Sequence, residues 1–151
     1  MSKINLFLDS SALFTGIVSS TGASRAILLL AEADRITLTI SEQVVTETER
    51  VIARKVPKAL SHFRQAILTS KVGIVNNPSI KEVSAHHDLI AYPPDVSIVV
   101  AAMNAKVDFL VTFNRKHFID DPGISERSGL RIATPGDALA WVRDQISALE
   151  L

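Results

Sequence analysis

Four short runs rich in Val, Ile, Leu and Phe, at residues 4–8, 36–40, 107–111 and 130–133, are separated by stretches with helical spacing, and a weaker run covers residues 72–75. Continuous apolar runs of four or five residues are the pattern of strands covered on both faces. Strands that alternate with helices are joined by right-handed crossovers, which place helices on both faces of a parallel sheet. The expected fold is therefore α/β and three-layered, with a central, mostly parallel sheet flanked by helices. At 151 residues the chain reads as one domain, 1–151, large enough to bury a core unaided.

The helices are marked by their ends. A helical stretch covers about residues 23–34. Ser41 stands where a cap belongs, and in residues 42–55 the side chains of Val44, Val45, Val51 and Ile52 share one face. Pro57 opens a further helix reaching about residue 70. Residues 79–94 carry the breakers Pro78, Pro93 and Pro94 and give no readable pattern. Asp95 precedes an Ala-rich apolar run, residues 96–105, that reads as a buried helix. Thr134 and Pro135 followed by Asp137 start a last helix through Trp141 and Ile146.

Composition removes several chemistries. With no cysteine, disulfides, thiolate zinc sites and cysteine nucleophiles are excluded, so a bound metal is held by oxygen or imidazole. Sixteen basic and sixteen acidic residues cancel, so the strong positive field of a dedicated nucleic-acid binder is missing and any RNA contact is local. Arg50, Arg54, Lys55, Lys58 and Arg64 form a basic stretch that a solvated helix face also explains. The opening apolar run is too short for a signal-peptide core or a membrane span, which sets the expectation of a cytoplasmic protein with no membrane partner.

In open parallel sheets, sites form beyond the carboxyl ends of the strands. Asp9 and Asn114 follow expected strands, and Glu47 and Asp95 lie in or before helices that follow turns at the sheet edge. Each has a plain explanation: Asp9 and Asp95 as helix caps, Glu47 as one surface glutamate beside Glu42 and Glu49. Glu47 nevertheless flanks the apolar stripe of its helix on the side of Arg50 and Arg54, where it either leans over the sheet edge or pairs with them. An aspartyl-phosphate chemistry at Asp9 needs a second aspartate two residues on, and Ser11 stands there. His62, His86, His87 and His117 show no metal-ligand pattern and are expected in surface or loop roles.

The motifs sharpen this reading. Residues 6–13, with Asp9 followed by Ser10 and Ser11, resemble the opening of PIN domains; residues 95–102 resemble the family's acid at the head of an Ala-rich helix; residues 107–118 are similar to its strand, threonine and fourth-acid block, here Thr112 and Asn114. Residues 132–138 resemble the close of the domain. The resemblance, which extends to VapC-like toxins, implies a metal-dependent endoribonuclease that hydrolyses RNA phosphodiester bonds by a metal-activated water. It implies Mg²⁺ or Mn²⁺ held by Asp9, Glu47 and Asp95, brought together to share the cation. Asn114 serves as an outer partner, and Ser10, Ser11 and Thr112 support the site. Arg50, Arg54 and Arg115 are the expected phosphate contacts. An RNA substrate, a small antitoxin and a homodimer are the partners it suggests.

Asn114 departs from the aspartate common at the fourth position, which removes a negative charge and lowers the expected metal affinity; Asp120 and Asp121 stand near enough in sequence to restore it. The alternative from another class is a catalytically weak PIN-fold module that binds RNA or protein.

Overall fold

The computed structural model describes residues 3–150, the side chain of Glu150 excepted. Five strands form one sheet: β1 (Asn5–Leu8), β2 (Thr37–Ser41), β3 (Gly73–Val75), β4 (Phe109–Val111) and β5 (Ile132–Ala133). Their order is β3-β2-β1-β4-β5, and all four pairings are parallel. β1 is central, with Leu6, Phe7 and Leu8 all nearly or wholly inaccessible to solvent, as a strand covered on both faces requires.

Eight α-helices accompany the sheet among the described residues: α1 (Ser10–Val18), α2 (Ala23–Glu32), α3 (Glu42–Lys55), α4 (Leu60–Thr69), α5 (Ile80–Ala85), α6 (Val96–Ala105), α7 (Gly123–Ser128) and α8 (Pro135–Glu150). Helices α1 to α4 pack as one group, with α2 against α8, while α5 and α7 pack on α6, which lies against β2. Helix α6 is buried at Val96, Ile98, Val99, Val100, Ala101 and Ala102, so its small and branched residues let it sit close to the strands. No single helix among the described residues is long and apolar enough to cross a membrane. The apolar pair α1 and α2 meets at a bend of 84° and buries Leu13, Ile17, Ile27 and Leu28 in the core.

The α/β architecture, the parallel sheet and the bounds of α3 and α6 agree with the sequence reading. Three local differences have physical causes. Helix α1 begins directly after β1 because Asp9 caps it, a short connection that the apolar run of β1 continuing into Ala12 and Leu13 conceals. The stretch opened by Pro57 divides into a 3₁₀ turn, Pro57–Ala59, and α4. The unreadable stretch before Asp95 contains α5, started by a reciprocal cap in which Ser79 accepts from the Glu82 amide and Glu82 accepts from the Ser79 amide.

The topology places a switch point between β1 and β4. From β1 the chain moves outward through β2 to β3, then returns to the other side of β1 as β4. At such a point the loops after neighbouring strands diverge and leave a crevice at their carboxyl ends.

Candidate active site

Asp9 follows the last residue of β1 and Thr112 the last residue of β4, so both stand at this switch point, at the carboxyl ends of the two strands. The Asp9 amide donates to the Val111 carbonyl at 3.1 Å, which ties the two strand ends together. Its carboxylate is 5% exposed as a residue and is held at both oxygens. Oδ1 accepts from Ser11 Oγ at 2.7 Å and from the Ala12 amide at 2.9 Å; Oδ2 accepts from Thr112 Oγ1 at 2.5 Å. The supporting hydroxyls are themselves anchored. Ser11 Oγ accepts from the Phe113 amide at 3.0 Å, and Thr112 Oγ1 accepts from the Asn114 amide at 2.9 Å. Ser10 is the first residue of α1 and is half-buried.

Asp95 ends a 3₁₀ turn, Pro93–Asp95, at the head of α6, with its side chain 17% exposed. Its Oδ2 lies 3.1 Å from His117 Nδ1. Glu47 is half-buried on α3 and accepts from Gln43 Nε2 at 3.4 Å. Glu47 acts on both aspartates. Burial is the main force raising the Asp9 carboxyl above its ordinary value of 3.8; the Glu47 charge adds to it, while the bonds from Thr112, Ala12 and Ser11 oppose it. Burial likewise leads for Asp95, with Asp9 and Glu47 pushing its pKa further up and His117 pulling it down.

These carboxylates, expected to gather around a shared ion, do not enclose one in this arrangement. Among the described residues, no three His, Asp or Glu side chains converge enough to enclose a metal by themselves. Each acid is instead turned onto a protein donor: Asp9 onto hydroxyls and an amide, Asp95 onto His117, Glu47 onto Gln43. What the fold does provide is a Glu47 charge near enough to disfavour ionisation of both aspartates, and an Asp9 charge that does the same to Asp95.

Asn114 caps a π-helical turn, Arg115–Ile119: its Oδ1 accepts from the His117 amide at 3.2 Å, and its Nδ2 lies 3.0 Å from His117 Nδ1. A protonated His117 Nδ1 that donates to Asp95 has no lone pair left for the Asn114 amide, so the carboxylate is the stronger partner. The fourth position therefore meets the acids through His117. This adds a contact with Asp95 to the surface or loop role expected for His117; the sequence signal was its place three residues after Asn114, the spacing that returns a side chain to the same face of a helical turn.

Gln43 was also missed. It donates to the Pro94 carbonyl at 3.2 Å and accepts from Ser97 Oγ, joining α3 to the head of α6 one turn before Glu47. Its spacing of four residues from Glu47 was the available sign. Arg50, Arg54 and Arg115 are exposed, and none is ion-paired with these acids among the described residues. Asp121 is paired with Arg127 at 3.0 Å, which removes it as a substitute for the missing fourth acid, and Asp120 is exposed.

Comparison with known families agrees with this geometry. The model of the PIN domain family matches residues 5–116, a span that holds both ends of the crevice. The chain belongs to the PIN domain family. Solved structures share the fold at low identity. PAE2754 from Pyrobaculum aerophilum has a TM-score of 0.65 at 15% identity, covering 93% of this chain and 90% of that one. VapBC2 from Rickettsia felis, solved bound to a DNA fragment from its promoter, gives 0.64 at 20% identity over 87% and 98%. A toxin–antitoxin complex from Klebsiella pneumoniae gives 0.60 at 22% identity over 86% and 97%. No curated protein matches the sequence.

The donor set suits a hard divalent cation. All three acids offer oxygen, and ionisation of the buried Asp9 is opposed by burial and by the Glu47 charge, a load that a bound cation relieves. A Mg²⁺ ion keeps several waters and takes one or two carboxylates, so it does not need a closed protein cage.

Proposed function

We propose that the chain is a metal-dependent endoribonuclease. The observation that carries this reading is the buried Asp9 carboxylate at the β1/β4 switch point, raised in pKa by burial and by Glu47 and facing a second raised acid, Asp95. A carboxylate kept where its charge is unfavourable is characteristic of functional sites. Asp9 and Asp95 are the direct ligands of Mg²⁺ or Mn²⁺, and Glu47 binds directly or through water. Asn114 and His117 orient Asp95 from outside. When bound, the cation supplies charge neutralisation and activation of the attacking water.

The chain's own residues do the rest. Ser11 and Thr112 hold both Asp9 oxygens in one orientation, Gln43 steadies Glu47 against the head of α6, and His117 holds one Asp95 oxygen. Arg50, Arg54 and Arg115 supply phosphate contacts from the exposed rim. The toxin–antitoxin complexes among its structural relatives support the reading of the chain as the toxin of such a pair, with a small antitoxin as partner.

Incubation of single-stranded RNA with the purified protein and Mn²⁺ tests this: cleavage is expected, and EDTA or Asp9→Asn should abolish it. Cleavage that continues unchanged in the variant refutes the site. The alternative, a weakly catalytic binding module, is favoured by Asn114 acting as a cap rather than as an acid. It predicts no heat of Mn²⁺ binding at millimolar concentrations.

A further inference from the structure

Beside Asp95 lies a feature that the acid cluster does not use. The ring of Tyr92, the one tyrosine of the chain, stacks on the ring of His117 with centroids 4.5 Å apart and planes inclined by 28°. Tyr92 remains 47% exposed. Its backbone is fixed by the turn that also presents Asp95, whose amide donates to the Tyr92 carbonyl at 3.0 Å. The two prolines of that turn, Pro93 and Pro94, limit its freedom further.

A cavity of about 300 Å³ opens against this pair, lined by Ala91, Tyr92, Lys116, His117, Asp121 and Ile124. Its chemistry is divided. Ala91 and the buried Ile124 supply an apolar wall, and the two rings supply flat faces. Lys116 places a cation at the rim. The carboxylate of Asp121 is already taken by Arg127 and by the Gly123 amide, so it is neutralised locally rather than opposing an anion.

We infer that Tyr92, His117 and this cavity form a stacking subsite for one unpaired nucleobase of the RNA substrate, next to the nucleotide whose phosphate meets the acids. The inference rests on the nuclease reading of Asp9 and Asp95, and it adds a preference for single-stranded RNA. A nucleotide pairs a flat base with a phosphate on its ribose, and here a ring platform, an apolar wall and a lysine stand together. The ring of His117 touches Asp95 on one side and Tyr92 on the other, so the platform is one side chain away from the acids. Aromatic side chains are the common means of holding splayed bases, and they do so without strict sequence preference.

The test is RNA binding in EDTA, where no metal-dependent cleavage occurs. Fluorescence anisotropy with labelled twelve-nucleotide oligouridine and oligoadenosine compares the wild type with Tyr92→Phe and Tyr92→Ala. Tyr92→Phe, which keeps the flat ring, should bind like the wild type; Tyr92→Ala should bind on the order of tenfold more weakly, the effect of losing one base–aromatic stack. Melting curves of both variants should match the wild type, because the ring is half in solvent.

Equal binding by Tyr92→Ala overturns the subsite, and so does a wild type that binds neither oligonucleotide. A Tyr92→Phe variant as weak as Tyr92→Ala overturns it too, since the hydroxyl and not the stack is then at work. Mn²⁺-dependent cleavage of RNA by a protein indifferent to Tyr92→Ala removes the subsite alone. Tyr92-dependent binding without any cleavage keeps the subsite and removes the nuclease reading.

Discussion

Replacing Asp9 by asparagine should make the metal-free protein more stable while destroying its response to metal. In the wild type, burial and the Glu47 charge oppose ionisation of Asp9 more strongly than its three hydrogen bonds favour it. Asparagine removes the charge and keeps the shape. Its Oδ1 accepts from Ser11 and Ala12 as before and asparagine is as good a helix cap as aspartate, while its Nδ2 donates to Thr112 Oγ1, whose own proton loses Asp9 as acceptor and offsets part of the gain. Relief of functional strain of this kind yields on the order of 1 kcal/mol. For a domain of this size that corresponds to a rise of about 2–4 °C in Tm. Mn²⁺ at ten times its Kd stabilises a single-site protein by about 1.4 kcal/mol, or roughly 3–6 °C.

The order of stabilities should therefore invert. In EDTA the variant melts above the wild type; in Mn²⁺ the wild type gains and the variant does not. Differential scanning fluorimetry in the two buffers reads this directly. A variant that melts well below the wild type in EDTA, or that gains as much from Mn²⁺, refutes the reasoning, because Asp9 would then be a structural cap.

Further outcomes follow from the same geometry. The pKa of Asp9 is raised in the folded state, so the native chain takes up its proton at a higher pH than the unfolded chain. The metal-free wild type should consequently lose stability relative to Asp9→Asn as pH rises from about 3.8 through the folded value, and the opposite slope in urea titrations contradicts this. Thr112→Val removes a hydroxyl that donates to Asp9 and accepts from the Asn114 amide. It should cost about 1–3 kcal/mol in chemical denaturation, with no change in cost pointing to a pliable site. Ser79→Ala breaks the reciprocal cap of α5 and should speed hydrogen exchange there by an amount matching about 1 kcal/mol, leaving exchange in β1 unchanged.

The sheet was legible because its strands carry continuous apolar runs, and α3 and α6 because Ser41 and Asp95 mark their starts. Asp9 and Asp95 stood out by position, each next to a strand or helix end that a parallel sheet brings to one edge, whereas Glu47, inside α3, stood out only by its place beside the apolar stripe of that helix. His117 and Gln43 did not. Their spacings to Asn114 and Glu47 were visible, but the contacts that give them their roles, His117 to Asp95 and Gln43 to Pro94, cross more than twenty residues and leave no periodic trace. Helix α5 escaped because Pro78 and Pro93 on either side suggested loop, although Ser79 and Glu82 carry the cap spacing in plain sight.

A divalent cation is expected to settle among Asp9, Glu47 and Asp95 while Ser11, Thr112, Gln43 and His117 still hold them. A crystal grown with Mn²⁺ and measured at an anomalous wavelength tests this most directly. We predict a peak bordered by Asp9 and Asp95 oxygens, with Glu47 bound directly or through water. A crystal in which millimolar Mn²⁺ leaves that crevice without a peak, or occupies only other parts of the surface, contradicts the account.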